Sequence, residues 1–565
     1  MRFRNNKKDR VRFLGIGFLS LFFLVGCNGS SSNNNSKENI EEAPEEVACD
    51  VIIDESKFAD EGQLKALMAQ VVQYGDLRST ASEAHESAID WIESEIGRIG
   101  GFEIRSDEFE IQRWQPTPAD PSGLGRSLEL AGKLEIEGQL IPVVGAVPYA
   151  LGTGEQGSTG ELIYLPRNQA ITAAHAGKVI LRDFPTAAND PASAPPFSHL
   201  MASASYMAPD MYARLPLLYE RPFLGALQIH SDLIAAGKVG AGAVIFAFDV
   251  PREQVSGYFD PHLGIHFRLP AIFVGIDERA ELMDAIAAGH DATVAVLAER
   301  DAAMTRNLIA TLPGQSDERI VLFTNTDGNT WVQDNGIAAM LALADYFARQ
   351  PAKCRPRTLE FAFNSAHLHD SQDGTIRYGR ELNREFDEGS VAFTFAIEHL
   401  GTKEILAKPR ANGKPGRELY FTGKAEPTVW FAPEDHPLMT DTAIGALLDR
   451  EVAGMSILSG FGGPGNHTPM RCNFGGMGSI THAYLVPTMG LIAGPWSLWA
   501  PNYGADAVDF SLMRDLVLAI GDSVMTLNSH TSEEIAGPYK EWRDLREQGG
   551  RTCWQPDYKS EDAPL

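Results

Sequence analysis

Asn307-Leu308-Ile309-Ala310-Thr311-Leu312-Pro313-Gly314 opens the stretch that decides the fold, continued by Glu318-Arg319-Ile320-Val321-Leu322-Phe323, Thr326-Asp327-Gly328 and Asp334-Asn335-Gly336. Ile320 to Thr324 reads as a strand, the polar residues fall where it ends, and a helical pattern runs from Gly336 to Gln350. Two further strands, Thr358 to Phe363 and Val391 to Ile397, follow, and a long helix comes after them. This alternation is that of a doubly wound α/β sheet. The carboxyl ends of parallel strands in such a sheet point into the ligand crevice. A carboxylate there, at the start of a helix, can bridge two cations.

Outward from this stretch the texture changes twice. Glu61 to Tyr74 and Glu83 to Ile99 are amphipathic helices, with Ala88, Trp91, Ile92, Ile96 and Ile99 on one face of the second. Tyr74-Gly75-Asp76-Leu77-Arg78-Ser79 lies between them, and Phe102 to Ile111 alternates like a strand. From about Leu128 short β-runs broken by Gly and Pro take over. They include Lys178 to Leu181, Ala243 to Phe246 and Leu269 to Val274, with a helix from Glu278 to Ala288. Ala505 to Leu527 is a helix that would cover the sheet, and the tail from Asn528 reads as polar and irregular. The simplest architecture is an α/β domain split by a β-rich insertion. The expected segments are 1–27 (signal and lipidated Cys), 28–55 (flexible tether), 56–125 and 305–530 (main domain), 126–304 (insertion) and 531–565 (tail).

The N-terminus is an address. Arg2, Arg4, Lys7, Lys8, Arg10 and Arg12 form a positive region before the apolar stretch Phe13 to Leu24, which is short for a membrane span. Leu24-Val25-Gly26-Cys27 resembles the bacterial lipobox, in which cleavage precedes a cysteine that then carries diacylglycerol. The alternative is an ordinary signal peptide with an incidental Cys27. The Ser/Asn run Asn28 to Asn39 suits a tether between lipid and body. With Asn28 next to the lipidated residue, the expected destination is a membrane outside the cytoplasm, the outer membrane in a Gram-negative cell. Without residues 1–26 the chain carries 42 basic and 74 acidic residues, a net charge of −32. Such a surface repels nucleic acid and anionic membrane faces, so membrane attachment is expected through the lipid alone. Cys49, Cys354, Cys472 and Cys553 remain for disulfides, which allow three pairings; we expect Cys49 with Cys553 as a terminal staple. No Cys/His spacing suggests a thiolate metal site.

The Asn307–Gly336 stretch resembles the co-catalytic zinc aminopeptidases, the clan that includes glutamate carboxypeptidase and the transferrin receptor. More of the layout follows in order. Thr358 to Phe363 matches the strand before the family's Glu-Glu pair, and Gly374-Thr375 its Gly-Ser. Ala396-Ile397-Glu398-His399-Leu400-Gly401 matches the strand bearing an acidic ligand, and Val486 to Ile492 the late strand before the last histidine. The insertion resembles a protease-associated domain. The resemblance covers about residues 56–530 and implies a three-layer mixed sheet, helices on both faces, and zinc-dependent peptide hydrolysis.

The catalytic positions depart from that pattern. A paired zinc site needs a His and an acid on each metal, a bridging carboxylate and a Glu base. Asn325 stands where the first His belongs, and Asp327 matches the residue that orients it. Asp334 matches the bridge, and His367-Leu368 replaces the Glu-Glu pair. Glu398 matches an acidic ligand, and Gly494-Pro495-Trp496-Ser497-Leu498 lacks the last His. A dinuclear zinc site is therefore not expected, whereas Asp334, His367 and Glu398 are candidate ligands for one zinc ion. The other reading makes them strand-end polar residues, with Asp334 as a helix cap. His367 with Asp327 is the candidate catalytic pair, His367 serving as base. His467 and His482 are candidates to replace the missing ligand, and otherwise are surface or packed residues. Trp496 and Trp499 read as core more than as pocket lining. Gly460 to His467 reads as a turn, because no Lys-Ser/Thr follows it. No Gly-x-Ser-x-Gly elbow is present.

Three functions follow as expectations: a divergent metallopeptidase with degraded ligands, a non-catalytic cell-surface binding or scaffold module, and a metal-free hydrolase using His367 with Asp327 or Asp334. The expected partner is a peptide or protein ligand.

Overall fold

The computed structural model describes residues 49–554 except 122, 187–203, 216–219, 262–265, 370–371, 434 and 462–464. The expected export segment with Cys27, residues 28–48 of the expected tether and residues 555–565 of the tail lie outside the described residues.

Among the described residues, nine strands form the main sheet: β1 (Glu103–Pro116), β2 (Tyr206–Met207), β3 (Ala298–Leu312), β4 (Arg319–Asn325), β5 (Thr358–Asn364), β6 (Val391–Ala396), β7 (Thr428–Phe431), β8 (Met455–Leu458) and β9 (Thr488–Ala493). Their order is β1-β3-β5-β4-β6-β9-β7-β8-β2. The centre is parallel, β4 pairing with both β5 and β6, and β6 with β9. Antiparallel pairs occupy the flanks, β1 with β3 and β7 with β9 among them. The class is mixed α/β, as the alternation of the sequence requires.

Side-chain alternation along the central strands sorts residues onto two faces. Ile320, Leu322, Phe361 and Phe363 join the larger core, whereas Val321, Phe323 and Ala362 join the smaller one. Both faces are covered, which is why these strands read as continuous apolar runs. Helices α1 (Glu61–Val72), α2 (Glu83–Ile99) and α3 (Gly336–Arg349) contribute to the larger core. On the other face are α4 (Asp373–Asp387), through Ile376, Tyr378 and Leu382, and α5 (Gly478–Ala483), through Ile480. Helix α6 (Phe510–Asn528) begins later than the sequence pattern implied. Asp509 accepts from the Ser511 and Leu512 N–H groups and caps it there.

A second, eight-stranded sheet is built from residues 132–296, with a parallel centre of Ser158–Tyr164, Val179–Asp183, Ala243–Ala247 and Ala271–Val274. The boundary read at 304–305 falls inside β3. That strand pairs with β1 along its length, from Glu103 opposite Thr311 to Pro116 opposite Ala298. This ribbon is hydrogen-bonded continuously, and just after Asn307 β3 gains a second neighbour, β5, from Leu308 to Leu312. Strand β2 arises within residues 126–304 yet closes the edge of the main sheet against β8.

Two expectations need correction. The disulfides are Cys49–Cys354 and Cys472–Cys553, with Cα separations of 5.3 and 5.5 Å, within the span a disulfide bridges. Nearness of Cys49 and Cys553 to the two chain ends does not make them neighbours. The first packs beside the end of α3, and the second beside the loop that bears Cys472. The tail is not irregular either, since Ser532–Ala536 and Pro538–Glu547 are helical. Thr531 and Glu534 form a reciprocal capping box, Pro538 opens the second helix, and Ile535, Tyr539 and Trp542 bury one face. The three apolar residues are spaced four and three apart, a signal overshadowed by the polar residues between them.

Non-reducing peptide mapping of the intact chain should recover the 49–354 and 472–553 linked peptides. Recovery of a 49–553 peptide in their place would overturn the pairing.

Candidate functional site at the strand ends

Three adjacent parallel strands deliver the polar residues singled out in the sequence. Asp327 follows β4, His367 follows β5, and Glu398 follows β6. Two of the strand ends turn through left-handed backbone at non-glycine residues, Ala366 (φ 54°) and His399 (φ 58°). Such conformations cost about 1 kcal/mol or more and concentrate at sites where surrounding contacts impose them.

The decisive residue is one the sequence reading passed over. Arg78, from the loop between α1 and α2, lies against Asp334, and neither side chain has any exposure (0%). Its Nε donates to Asp334 Oδ2 at 2.9 Å, its Nη2 donates to the same oxygen, and its Nη1 donates to the Gly75 carbonyl. The backbone is held as well. Arg78 N–H donates to the Gly328 carbonyl at 2.9 Å, and Gly328 N–H returns a bond to the Arg78 carbonyl at 3.2 Å. Residue 328 must be glycine, because a Cβ there would overlap Asp334 Oδ1. Burial raises the Asp334 pKa above the usual aspartate value, outweighing the opposite pull of Arg78. The buried guanidinium requires the carboxylate as its counterion.

Each remaining candidate has a definite place. Asp327 Oδ2 accepts from Thr80 Oγ1 at 2.6 Å and from Leu368 N–H at 2.9 Å, and its Oδ1 has no hydrogen-bond partner. Neither Asp327 nor Asp334 hydrogen-bonds His367, so no His–Asp pair forms. Asn325 turns its Nδ2 onto the Asp327 carbonyl at 2.7 Å. His367 Nε2 and His399 Nε2 lie 3.8 and 3.9 Å from Glu398 Oε2. Glu398 Oε1 accepts from Met477 N–H at 2.7 Å, and burial pushes its pKa up to about 8 against that bond. His369 is drawn away to the Gln112 carbonyl of β1 at 2.8 Å. Asp334 does not cap α3. Asn335 occupies that position and instead grips Leu400, through Nδ2 to its carbonyl and Oδ1 to its N–H.

His482 and His467 do not join this cluster by hydrogen bonding. His482 stacks on Phe474, and its Nε2 donates to the Arg471 carbonyl at 2.9 Å while Nδ1 accepts from Tyr539 Oη at 2.8 Å. Burial lowers its pKa to about 4. His467 lies beside Cys472. Trp496 and Trp499 are core residues.

A zinc ion of the family kind does not fit these residues. Asp334, which the resemblance would make the bridge, already carries a guanidinium, and a dication beside it would be repelled. The ligand atoms of Asp334, His367 and Glu398 do not converge. Among the described residues, the one group of three potential ligand atoms within 4.8 Å of each other is His467, Cys472 and Cys553.

Comparison with solved structures agrees with this architecture. The chain matches an aminopeptidase from Aneurinibacillus sp. strain AM-1 at 16% identity and a TM-score of 0.50, covering 90% of this chain and 98% of that one. BSAP, a zinc aminopeptidase from Bacillus subtilis, matches at 14% identity and a TM-score of 0.54, over 84% and 97% of the two chains. A peptidase M28 precursor from Shewanella amazonensis SB2B matches at 14% and 0.52, over 84% and 98%. The fold is that of the zinc aminopeptidases. No protein-family model and no curated protein sequence matches the chain. At these identities the likeness concerns the aminopeptidase fold, while the chemistry rests on the residues described above.

Two outcomes test the site. Arg78→Met and Asp334→Asn should each destabilise the protein by about 3–5 kcal/mol, because each strands a buried polar or charged partner. The double variant should lose much less than the sum; additive losses in denaturant unfolding would show that the two groups are not coupled. The second concerns pH. His482 has a folded pKa near 4 against 6.5 unfolded, so its stabilising contribution is complete above 6.5 and is lost as pH falls towards 4. Relative to His482→Gln, the native chain should lose about 3 kcal/mol more between pH 7 and pH 4; parallel stability curves would contradict this assignment.

Proposed function

We propose that this chain is a non-catalytic binding module for a peptide or protein ligand, lipid-anchored through Cys27 outside the cytoplasm and built on the zinc aminopeptidase fold. The carrying observation is the fully buried Arg78–Asp334 pair, which places a fixed side-chain cation where the resemblance puts the metal bridge. The rest of the crevice is equally closed. Asp327 is 0% exposed, Glu398 1%, and His367 and His399 3% each. Side chains this buried offer little surface to a substrate, which supports a binding role over hydrolysis. The export pattern, the Cys27 lipobox and the Ser/Asn tether support an extracytoplasmic, membrane-anchored body, with the second sheet of residues 132–296 as a protease-associated-like insertion. The acidic surface favours a partner that is not nucleic acid.

One observation favours the second reading, a divergent metallopeptidase with a single zinc. Asp327 Oδ1, Asp334 Oδ1 and Glu398 Oε2 are buried without hydrogen-bond partners in the protein. Buried acceptors in that condition call for a water or a cation.

Metal analysis and aminopeptidase assays on the intact oxidised chain, purified without a metal-affinity tag, separate the readings. We expect no zinc retained, no uptake at micromolar zinc, and no hydrolysis of aminoacyl chromogenic substrates. Zinc-dependent turnover lost in both Asp334→Ala and Glu398→Ala would establish the peptidase and sink the binding module.

A further inference from the structure

We propose that the Cys472–Cys553 disulfide and His467 together form a redox-gated zinc site, closed while the disulfide is intact and opened to zinc by a dithiol reductant. The site is separate from the strand-end cluster and does not depend on the function proposed above.

The three ligand atoms already lie within 4.8 Å of one another. His467 Nδ1 donates to the Pro469 carbonyl at 2.6 Å, which fixes the tautomer and leaves Nε2 as the coordinating nitrogen, 3.9 Å from Cys472 Sγ. A ring N–H anchored to a backbone carbonyl is the outer-shell arrangement that orients histidine ligands on zinc. Tetrahedral coordination at about 2.3 Å per thiolate needs the sulfurs to part by under 2 Å from their bonded distance, within the reach of χ1 rotation. Two thiolates and one imidazole leave a fourth position for water. They also cancel the charge of the dication, which suits a site where Cys553 is buried and Cys472 and His467 are half-buried.

The ligand-bearing segments are held together without the sulfur bond. Thr468 N–H donates to the Arg551 carbonyl at 2.9 Å, joining the loop to the segment carrying Cys553. Phe461 pairs with Asn473 at 2.7 Å, and Gly465 N–H donates to the Met470 carbonyl at 2.8 Å. His482 grips the Arg471 carbonyl from below. Opening the bridge therefore frees two sulfurs inside a frame that stays assembled. Gly465 packs against the His467 ring so closely that a Cβ there would overlap Nε2.

The chemistry balances with a thiol–disulfide exchange partner of the dithiol class. Its first thiolate attacks one sulfur of the bridge to give a mixed disulfide, and its second thiolate releases it. The dithiol becomes a disulfide, and Cys472 and Cys553 become thiols. Zinc then binds both as thiolates and releases their two protons to solvent.

Cobalt(II) reports this site by its thiolate charge-transfer absorption. The full chain, purified without a metal-affinity tag, is titrated with cobalt before and after reduction by a phosphine removed anaerobically, with circular dichroism on the same samples. We expect no band from the oxidised chain and one cobalt per reduced chain, displaced by zinc. Affinity should fall at least about tenfold in His467→Ala and in Gly465→Ala. The band should persist in Cys49→Ser/Cys354→Ser, which leaves the site intact. Absence of the band from reduced chain, or equal affinity in His467→Ala, would overturn the proposal. A band lost with Cys49 and Cys354 would overturn it too, by assigning the metal to the other pair.

Discussion

A single buried ion pair governs the strand-end region. Arg78 reaches from the loop between the first two helices into the crevice of the main sheet, and Asp334 meets it with no water between. Burying either charge alone costs several kcal/mol, so each is tenable only because the other is there. The pair also sets backbone geometry. It draws the Gly75–Ser79 loop onto Gly328 and positions the turn that carries Asp327. Thr80, two residues beyond Arg78, then supplies the hydroxyl that Asp327 accepts.

That arrangement has a chemical consequence. The carboxyl ends of parallel strands form a crevice in this kind of sheet, and the side chains there have partial charges to satisfy. In a metal-binding protein a dication does so. Here a guanidinium, two backbone N–H groups and a carboxyl with a pKa near 8 do most of it from within the chain. A guanidinium is fixed, planar and always charged, and it offers no open coordination position for water or substrate. On the function proposed above, the guanidinium keeps a positive charge in the crevice without supplying a metal's coordination chemistry. The Cys472–Cys553 region is the opposite case, since its ligand atoms converge but are bonded to one another.

Much of the fold was legible because it rests on periodicity. The strands at 320–324, 358–363 and 391–397, and the helix from Gly336, were readable to within two residues, since both faces of the sheet are covered and the runs stay apolar. The tail helices were missed because Ile535, Tyr539 and Trp542 are scattered among charged residues. The site was legible only in part. Asp327, Asp334, His367 and Glu398 could be placed at strand ends by position. Arg78 could not, since a lone arginine in a polar loop gives no signal of burial, and its partner lies 256 residues away.

By itself the sequence determined the fold class, the central run of strands and helices, and the residue types at Asn325, Leu368 and after β9 that depart from the pattern it resembles. These depend on local pattern and residue identity, which are properties of the chain in order. Only the tertiary structure decided which cysteines pair, that Arg78 neutralises Asp334, that His482 is packed, and that His467 meets Cys472 and Cys553. Each of those is a meeting of segments that short-range pattern does not encode. Its outcome depends on which groups the completed core brings together and shields from water.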